Sequence, residues 1–318
     1  FYTVNTKGHI FDGDVLMCKD GALTGKVALV RNELNGLCSM VNEHVFILRS
    51  VSMTHPYLFY FLFSNNGQTQ IKNRISGAAQ GGLNSTNLKS IQIPVPPLST
   101  QQSIVSELDS LSKIIADCKE TLKDYDALEQ SIFYDMFGDP VKNEKGWEVK
   151  KLGEVTKNIF AGGDKPKDFS ETKTQEYCYP IIANGDGEKG ILGYSNTYRV
   201  SEAAVTIGAR GASIGNCRIC REKFLPVVRL ITIIVGDIID VQYLYFIVKK
   251  IKYDISGAGQ AQLTVPNIVS ENIIFPPLPL QQQFASKIEA IEQMKEETKK
   301  ALQEAETLFQ ARMDYWFN

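Results

Sequence analysis

The sequence lacks the features of a membrane protein or a secreted protein. No apolar run approaches the roughly 20 residues that cross a bilayer, and there is neither a signal-peptide pattern nor a starting methionine. The six cysteines are scattered along 318 residues, which is typical of reduced thiols rather than of a disulfide framework. We therefore expect a cytoplasmic protein with no membrane partner, whose gene product begins before Phe1.

The sequence also lacks the residue patterns that carry catalysis. Its three histidines show no metal or nucleophile spacing, and Cys217 and Cys220 are a lone pair whose spacing on a strand would place the thiols on opposite faces. Residues 21–27 are one residue short of a phosphate-binding loop and lack its Ser or Thr. Residues 275–278 lack the polar first residue of a methylation motif. We predict a protein that is not an enzyme, with no catalytic residue, no metal site and no cofactor.

Charge is unevenly distributed along a chain whose net charge is -2. Residues 1–98 and 145–275 each carry a net charge of +3, whereas residues 99–144 carry -6 and residues 276–318 carry -2. The distribution of charge, rather than its total, decides where a polyanion can bind. The two basic segments therefore permit nucleic-acid binding, although so small an excess fits an ordinary solvated surface equally well.

An internal repeat organises the chain. Residues 76–83 recur as residues 256–263, an offset of 180 that continues without a gap through Pro-Pro-Leu at 96–98 and 276–278 to the C-terminus. Upstream, residues 21–25 resemble residues 211–215 at an offset of 190. Self-similarity at a fixed offset indicates a duplication. Each half is predicted to be a lobe followed by a long helix.

The two halves are unequal in length. The second lobe begins at Gly146, and the offset of 190 places Phe1 at about Leu192. The first lobe is therefore expected to be truncated, without a counterpart of about residues 146–190. The predicted divisions are a truncated first lobe at 1–98, a first helix and linker at 99–145, a second lobe at 146–278 and a second helix at 279–318.

Each long helix is predicted from a heptad of apolar residues. We expect the first to start with a capping box from Ser99 to Gln102, and the second to start at Pro279 and to be weaker at Lys295. The apolar stripes are predicted to pair as antiparallel helices, although each could instead pack on its own lobe. The expected interface residues are Ile104, Leu108, Leu111, Ile115, Leu122, Phe284, Ile288, Ile291 and Leu302.

The lobes are predicted to mix strands and helices. Short apolar runs at residues 15–17, 45–48, 204–207 and 230–235 are typical of strands, and short aromatic-rich helices are expected at 57–62 and 241–248. The predicted fold class is α+β. It comprises two similar mixed α/β lobes connected by two long antiparallel coiled-coil helices with pseudo-twofold internal symmetry.

These motifs together resemble a known family. Each lobe closes with Ser-Gly-Ala-x-Gln-x-x-Leu and an Ile-x-x-Pro-Pro-Leu-x-x-Gln-Gln entry to its helix, and the second opens with Gly-Trp-Glu-Val-Lys-Lys-Leu-Gly-Glu-Val at 146–155. In this the chain is similar to the specificity subunits of Type I restriction-modification systems. The truncated opening of the first lobe departs from that pattern.

The resemblance implies a non-catalytic subunit that binds double-stranded DNA. Each target-recognition lobe would read one half of a bipartite site, and the helices would set the spacer. Two methylation subunits would bind the helical region and bring S-adenosylmethionine, and restriction and translocation subunits would join them. The alternatives are a coiled-coil scaffold with two protein-binding lobes, and a self-sufficient nuclease or methyltransferase.

The duplication separates two kinds of candidate DNA contact. Residues shared by both lobes cannot explain the reading of two different half-sites, so they are expected to serve the fold or the phosphates, whereas differing loop residues are candidates for base edges. A loop that only seals the lobe onto its helix, or a solvated side chain, is the alternative for each. The shared candidates are Lys72, Arg74, Gln80, Lys250, Lys252 and Gln260. The differing candidates are Lys19, Asp20, Asn42 and His44 in the first lobe, and Asn184, Lys189, Tyr194, Asn196, Arg199, Arg210 and Arg229 in the second.

Overall fold

The structure is a computed structural model, and it describes residues 2–5, 8–31, 39–75, 81–185, 190–251 and 262–318. The chain divides into two compact units. Unit 1 comprises Phe1–Leu122 and Glu297–Asn318, and unit 2 comprises Lys123–Glu296. Among the described residues, no helix combines the length and the apolar character that crossing a membrane requires.

Unit 1 is built on an antiparallel sheet covered by short helices. Its four-stranded sheet has the order β1-β6-β3-β4, and β2 pairs with β5. The predicted strands at 15–17 and 45–48 and the predicted helix at 57–62 are confirmed. The elements are β1 Tyr2–Asn5, β2 Gly8–Ile10, β3 Val15–Cys18, β4 Val27–Leu29, β5 Ser39–Val41, β6 Val45–Ser50, α1 His55–Phe63, α2 Asn65–Lys72, α3 Ser85–Lys89 and the first part of α4 Leu98–Phe137.

The core of unit 1 lies between this sheet and α1. The hydroxyl of Thr54 caps α1 by accepting a hydrogen bond from the Tyr57 N–H. The rings of Tyr57 and Phe61 are buried and lie 5.5 and 6.0 Å from the ring of Phe317. Burying a large apolar side chain contributes about 1.5–3 kcal/mol. These aromatic contacts hold Phe317 against α1.

Unit 2 contains a related sheet with additional strands. Three sheets have the orders β12-β11-β14-β8, β10-β9-β13 and β15-β7. The predicted strands at 204–207 and 230–235 and the predicted helix at 241–248 are confirmed. The elements are β7 Glu148–Lys151, α5 Leu152–Val155, β8 Thr156–Ala161, β9 Tyr179–Ile182, β10 Ile191–Ser195, β11 Ala204–Ile207, β12 Cys217–Cys220, β13 Leu225–Pro226, β14 Ile231–Val235, α6 Val241–Lys250, α7 Val265–Ser270, β15 Asn272–Phe275 and the first part of α8 Leu278–Phe317.

The four-stranded sheets of the two units share one topology. In unit 1, β1 lies beside β6 with Tyr2 opposite Ser50, and in unit 2, β8 lies beside β14 with Thr156 opposite Val235. The first strand of unit 1 thus occupies the position of β8. The offset of 190, which places Phe1 at about Leu192, is therefore wrong for this strand. The reason is that β9 and β10 lengthen the chain between β8 and β11, so a constant offset no longer aligns equivalent residues.

The start of each long helix is fixed by a buried glutamine. Both α4 and α8 are 40 residues long, about 60 Å at 1.5 Å per residue. The predicted capping box at Ser99 is wrong, because α4 already begins at Leu98 and the Gln101 N–H donates to the carbonyl of Pro97. The Gln101 side chain instead accepts from the Thr54 N–H at 2.9 Å and donates to Pro96 at 2.9 Å.

The same arrangement recurs at the second helix. The side chain of Gln281 accepts from the N–H of Asp240 at 2.9 Å and donates to the carbonyl of Pro276 at 2.8 Å. Asp240 caps α6 in the way that Thr54 caps α1. One repeated amide therefore links the start of each long helix to the cap of the aromatic-rich helix in its lobe.

In unit 1 the two long helices pack in antiparallel directions. Ile104 and Leu108 of α4 are buried in one cluster with Met313 and Phe317 of α8. Further along α4, Lys119 pairs with Glu306 at 2.7 Å. Residues later in α4 therefore contact residues earlier in α8, as antiparallel helices do. Of the other expected interface residues in this unit, Leu111 is buried, and Ile115, Leu122 and Leu302 are half-buried.

In unit 2 the helices again run in antiparallel directions. Phe284, Ile288 and Ile291 of α8 are buried in one cluster with Phe133 and Phe137 of α4. The rings of Phe133 and Phe137 lie 5.7 and 5.3 Å from that of Phe284. The predicted antiparallel pairing of the stripes is therefore confirmed within each unit.

Lys295 is buried in the seam of unit 2. Its ammonium nitrogen lies 2.6 Å from Glu129 and 2.7 Å from Asp126, and Glu292 is 3.3 Å away. Burial alone would lower the pKa of Lys295, but its hydrogen bonds with Asp126 and Glu129 raise the pKa overall. Burial raises the pKa of Glu129. At the equivalent seam position of the first helix the chain has Ile115, so the two halves of the seam differ in chemistry.

Candidate nucleic-acid interface

Two loops of the first lobe come together at residues 19–20 and 42–44, which with Leu83 we call loop cluster 1. The Lys19 N–H donates to the carbonyl of His44 at 2.8 Å, and the Leu83 N–H donates to the carbonyl of Lys19 at 2.9 Å. The Asp20 carboxylate lies 2.7 Å from Nδ1 of His44. The ammonium of Lys19 reaches the carbonyl of Glu43 at 3.5 Å. The structure thus brings the four differing candidates of the first lobe, Lys19, Asp20, Asn42 and His44, into one surface cluster.

Asn42 has a local structural contact within loop cluster 1. Its side-chain oxygen accepts a hydrogen bond from the His44 N–H at 3.1 Å. Such a bond to the backbone two residues on stabilises a turn. Asn42 therefore shapes the loop that presents His44, with its amide nitrogen left as the group that could reach a base.

The second lobe has a corresponding group, loop cluster 2, made of Asn184, residues 209–210, residues 228–229 and Leu263. The Leu263 N–H donates to the carbonyl of Ala209 at 3.0 Å, which matches the bond from Leu83 to Lys19. The Asn184 side chain accepts from the Ala209 N–H at 2.9 Å and donates to the carbonyl of Val228 at 2.7 Å. One amide therefore holds together the two backbone segments that carry Arg210 and Arg229.

Arg229 lies in a turn of unusual backbone conformation. The Leu230 N–H donates to the carbonyl of Val227 at 3.1 Å, and the residues between them, Val228 and Arg229, have φ angles of 53° and 61°. Two positive φ angles at the centre are the pattern of a type I′ turn, which favours Gly, Asn and Asp. A residue held there without being glycine costs about 1–3 kcal/mol. The cost is offset by surrounding bonds, including that from the Val228 N–H to Gly163 at 2.7 Å.

Strand register decides which loop residues of the two lobes are equivalent. Val15 pairs with Leu48 in unit 1, and its repeat partner Val205 pairs with Ile233 in unit 2. Leu48 and Ile233 are therefore equivalent positions. Four residues before each of them lie His44 and Arg229, which are thus equivalent to each other. Asn42 is therefore the counterpart of Val227 rather than of Arg229.

Several predicted contacts are engaged within the fold. The Arg74 guanidinium donates to Gln70 at 2.7 Å and to the hydroxyl and carbonyl of Ser90 at 2.8 and 2.9 Å. The guanidinium of Arg199 lies 4.0 Å from the ring centroid of Phe160. These arginines therefore brace their lobes, which makes them weaker candidates for DNA contact than side chains without internal partners.

The remaining candidates have different surroundings. Lys250 lies 4.2 Å from the ring centroid of Tyr134. Lys72 and Asn196 are exposed, and Tyr194 is half-buried in β10, where its N–H donates to the carbonyl of Ser170. Four predicted residues lie outside the described part of the chain, namely Gln80, Lys189, Lys252 and Gln260.

A repeated ion pair, which the sequence analysis did not identify, links each lobe to its helix. Arg31 pairs with Asp109 at 2.5 Å in unit 1, and Arg221 pairs with Glu289 at 3.1 Å in unit 2. The arginines differ by 190 residues and the acids by 180, which are the two offsets of the repeat. Following those offsets for charged residues could have revealed the pair.

The two cysteines of β12 face different clusters, as the strand spacing predicts. Cys220 is buried in one apolar cluster, and Cys217 packs against another. Burial raises the pKa of Cys217 to about 12 and that of Cys220 to about 11. Because the thiolate is the form that binds metals and attacks substrates, both thiols are chemically inert near neutral pH. Within the described ranges, no cluster of three or more His, Cys, Asp or Glu residues could hold a metal ion.

Comparison with known proteins gives a consistent family assignment. The family model described as "Type I restriction modification DNA specificity domain" matches residues 1–124 and 144–307. A Mycoplasma pneumoniae protein that carries the name of a type I specificity subunit is 32% identical over 211 residues, covering 66% of this chain and 57% of that protein. The MjaIX type I restriction enzyme specificity subunit of Methanocaldococcus jannaschii is 24% identical over 317 residues, covering 89% and 72%.

A solved structure shares the fold. The crystal structure of the S subunit of a Type-I restriction-modification system from M. genitalium matches with a TM-score of 0.68 and 15% sequence identity, covering 98% of this chain and 83% of that one. At this identity the likeness concerns the fold. The sequence alignment with the Mycoplasma pneumoniae relative spans little more than half of that protein's length.

Proposed function

Because the chain belongs to the family of type I restriction-modification DNA specificity domains, we propose that it is the subunit that selects the DNA sequence in a type I complex. Each lobe binds one half of a bipartite site in double-stranded DNA. The observation that carries this proposal is that the equivalent loops at residues 19–20 and 209–210 accept the same backbone hydrogen bond, from Leu83 and Leu263, but present different side chains. Such a pair of surfaces is suited to two different half-sites.

In this proposal the chain recognises DNA and performs no chemistry on it. The thiols of β12 are protonated near neutral pH, and the family membership points to partners for catalysis. Two methylation subunits bring S-adenosylmethionine, and restriction and translocation subunits complete the complex. The exposed faces of the long helices are acidic and would repel phosphate, so they suit contacts with these proteins rather than with DNA.

Methylation mapping tests this function. The methylation subunits are expressed in a host with and without this chain, and methylated positions in the host DNA are sequenced. We expect methylation at a bipartite, asymmetric sequence that depends on the chain. Methylation that is unchanged when the chain is omitted, or that the purified chain catalyses alone, would overturn the proposal.

The helices are proposed to set the spacer between the half-sites. Both α4 and α8 contribute residues to both units, so their length should enter the spacing but not the half-sequences. Inserting four residues in the middle of α4, with a matching insertion in α8, is expected to lengthen the spacer. Altered half-sequences with an unchanged spacer would contradict this role.

A further inference from the structure

The two lobes carry one pair of equivalent loop positions. In the first lobe these positions are Asp20 and His44, and in the second they are Arg210 and Arg229, matched by the repeat offset and by strand register. In each lobe the residue before the first position accepts the same backbone hydrogen bond. The carbonyl of Lys19 accepts from the N–H of Leu83, and the carbonyl of Ala209 accepts from the N–H of Leu263. The lobes therefore share this backbone contact at the first position and differ there in side chain. At the second position they differ in backbone conformation as well, because Arg229 has a φ of 61° and His44 is not among the described residues with a positive φ.

The side chains at these positions differ in charge. Asp20 and His44 are hydrogen-bonded to each other at 2.7 Å, with 37% and 58% of their side chains exposed. Arg210 and Arg229 are both exposed cations. Arg210 donates to Gln262 at 3.2 Å, whereas the described part of the chain provides no partner for the guanidinium of Arg229.

The second lobe positions its pair with dedicated structure. The Asn184 amide ties the backbone before Arg210 to the backbone before Arg229. The turn at residues 227–230 keeps Arg229 in the left-handed region although no glycine is present. Strained backbone of this kind persists where the surroundings over-determine it, often at binding sites. Asn184 is therefore a positioning residue, with its amide satisfied inside the lobe rather than free for DNA.

We propose that these two positions are base-reading positions of the two lobes and that Arg229, supported by Arg210, reads guanine. The inference rests on the proposed function and deepens it. A guanidinium can donate two hydrogen bonds to O6 and N7 of guanine in the major groove. In the first lobe the Asp20 carboxylate accepts from the exocyclic amine of cytosine or adenine, and His44 orients that carboxylate.

A phosphate contact by Arg229 is the main competing interpretation. The two differ in their consequences, because a phosphate contact weakens binding to all sequences alike and lowers its salt dependence, whereas a base contact sets the preference at one position. The sequence preference of an alanine variant therefore distinguishes them.

The experiment selects duplexes from a random library with the complex of the full chain and its methylation subunits. It compares the wild-type chain with Arg229→Ala, Arg210→Ala and the control Lys223→Ala, which removes an exposed cation that lies over Tyr198 in the same unit. We expect Arg229→Ala to lose a guanine in one half-site and to bind the wild-type site about 5- to 150-fold more weakly. The other half-site, the spacer and the preference of the control should not change.

Asn184→Ala provides a second, independent variant. It removes no cation, so we expect an unchanged salt dependence of binding together with a relaxed preference at the same base as Arg229→Ala. Thermal unfolding of each variant identifies loss of folding, and the half-site read by the first lobe serves as an internal standard. A variant that still selects that half-site is folded well enough to be judged.

The outcomes separate this inference from the proposed function. If the wild-type complex selects no sequence, the proposed function fails. The wild-type complex could instead select a bipartite site while Arg229→Ala keeps the same base preference or weakens binding to all sequences equally. In that case the proposed function stands and the base-reading assignment is overturned.

Discussion

Replacing Lys295 by methionine removes the ammonium group that lies 2.6 Å from Glu129 in the seam of unit 2. The side chains of Lys295 and Glu129 are only 9% and 10% exposed. Removing one member of a buried ion pair costs about 3–5 kcal/mol because the other charge is left buried. Asp126 is 68% exposed, so its bond to Lys295 is screened by water and contributes about 0–1 kcal/mol.

Lys295→Met and Glu129→Leu should lower the free energy of unfolding by different amounts. Lys295→Met leaves Glu129 buried without its cation, and we expect the free energy of unfolding of unit 2 to fall by about 3–5 kcal/mol. Glu129→Leu leaves Lys295 with Asp126 and Glu292, so a smaller loss is expected. The double variant removes both charges and should unfold with a free energy close to that of the wild type.

Unfolding in urea, followed by tryptophan fluorescence, measures these values. The chain has two tryptophans, Trp147 in unit 2 and Trp316 in unit 1. In a Trp316→Phe background the signal therefore reports unit 2. A matched double-mutant cycle uses Lys119 and Glu306, an ion pair in unit 1. Its distance is also 2.7 Å, but its side chains are 54% and 49% exposed. Trp316 reports its unfolding in a Trp147→Phe background.

Comparing the two double-mutant cycles decides whether burial governs the coupling energy of an ion pair. We expect a coupling of about 3 kcal/mol or more for the buried pair and of about 0.2–1 kcal/mol for the exposed pair. Equal couplings, or a double variant as unstable as Lys295→Met, would refute the reasoning.

Three further perturbations test other parts of the structure. Asp14→Asn breaks bonds of 2.6 Å to Arg49 and should destabilise unit 1 by about 2 kcal/mol at neutral pH. Although burial alone would raise the pKa of Asp14, bonds from Arg49 and Phe11 hold it below 3.8, so its stabilisation is present above pH 3.8 and is lost as pH falls through the lowered value. Acid unfolding curves that this variant leaves unchanged would exclude that role. Val228→Asn should raise stability by about 1 kcal/mol, because Asn tolerates positive φ, and a drop in melting temperature would argue against strain. Gln281→Leu should cost about 2–4 kcal/mol by leaving the Asp240 N–H and the Pro276 carbonyl unpaired, and an equal cost from the exposed control Gln282→Leu would show that the bonds are unimportant.

Periodicity and repetition carried most of the prediction of the fold. The apolar spacing that includes Ile104 and Leu108 predicted the seam, since an amphipathic helix must bury its stripe. The repeated 180-residue offset predicted two related lobes. The same offset could not locate β1, because insertions between equivalent strands shift the alignment, and only hydrogen-bond register restores it.

The misread positions are polar residues whose partners lie far away in sequence. Lys295 interrupts an apolar heptad and suggests a weak point, yet Glu129, 166 residues earlier, makes it a buried ion pair. Ser99 and Gln102 suggest a local cap, yet the residue that fixes the start of α4 is Gln101, whose partner is the N–H of Thr54. Neither pairing can be predicted from the spacing of neighbouring residues in the sequence.

The candidate site could be predicted in its residue types but not in its geometry. Comparison of the lobes singled out Arg210 and Arg229 because they differ from their counterparts. The sequence Val228-Arg229 carries no turn signal, since type I′ turns favour Asn-Gly. The conformation that presents Arg229 therefore becomes visible only in the structure.

Equilibrium binding to four duplexes tests the central claim, which is that each lobe reads its own half-site. The duplexes carry both half-sites, either half-site scrambled, or both scrambled, and each is titrated with the wild-type complex and with the Arg229→Ala complex. We expect the loss of affinity caused by Arg229→Ala to vanish when one particular half-site is scrambled and to persist in full when the other is scrambled. A loss that is the same on all four duplexes would contradict the account.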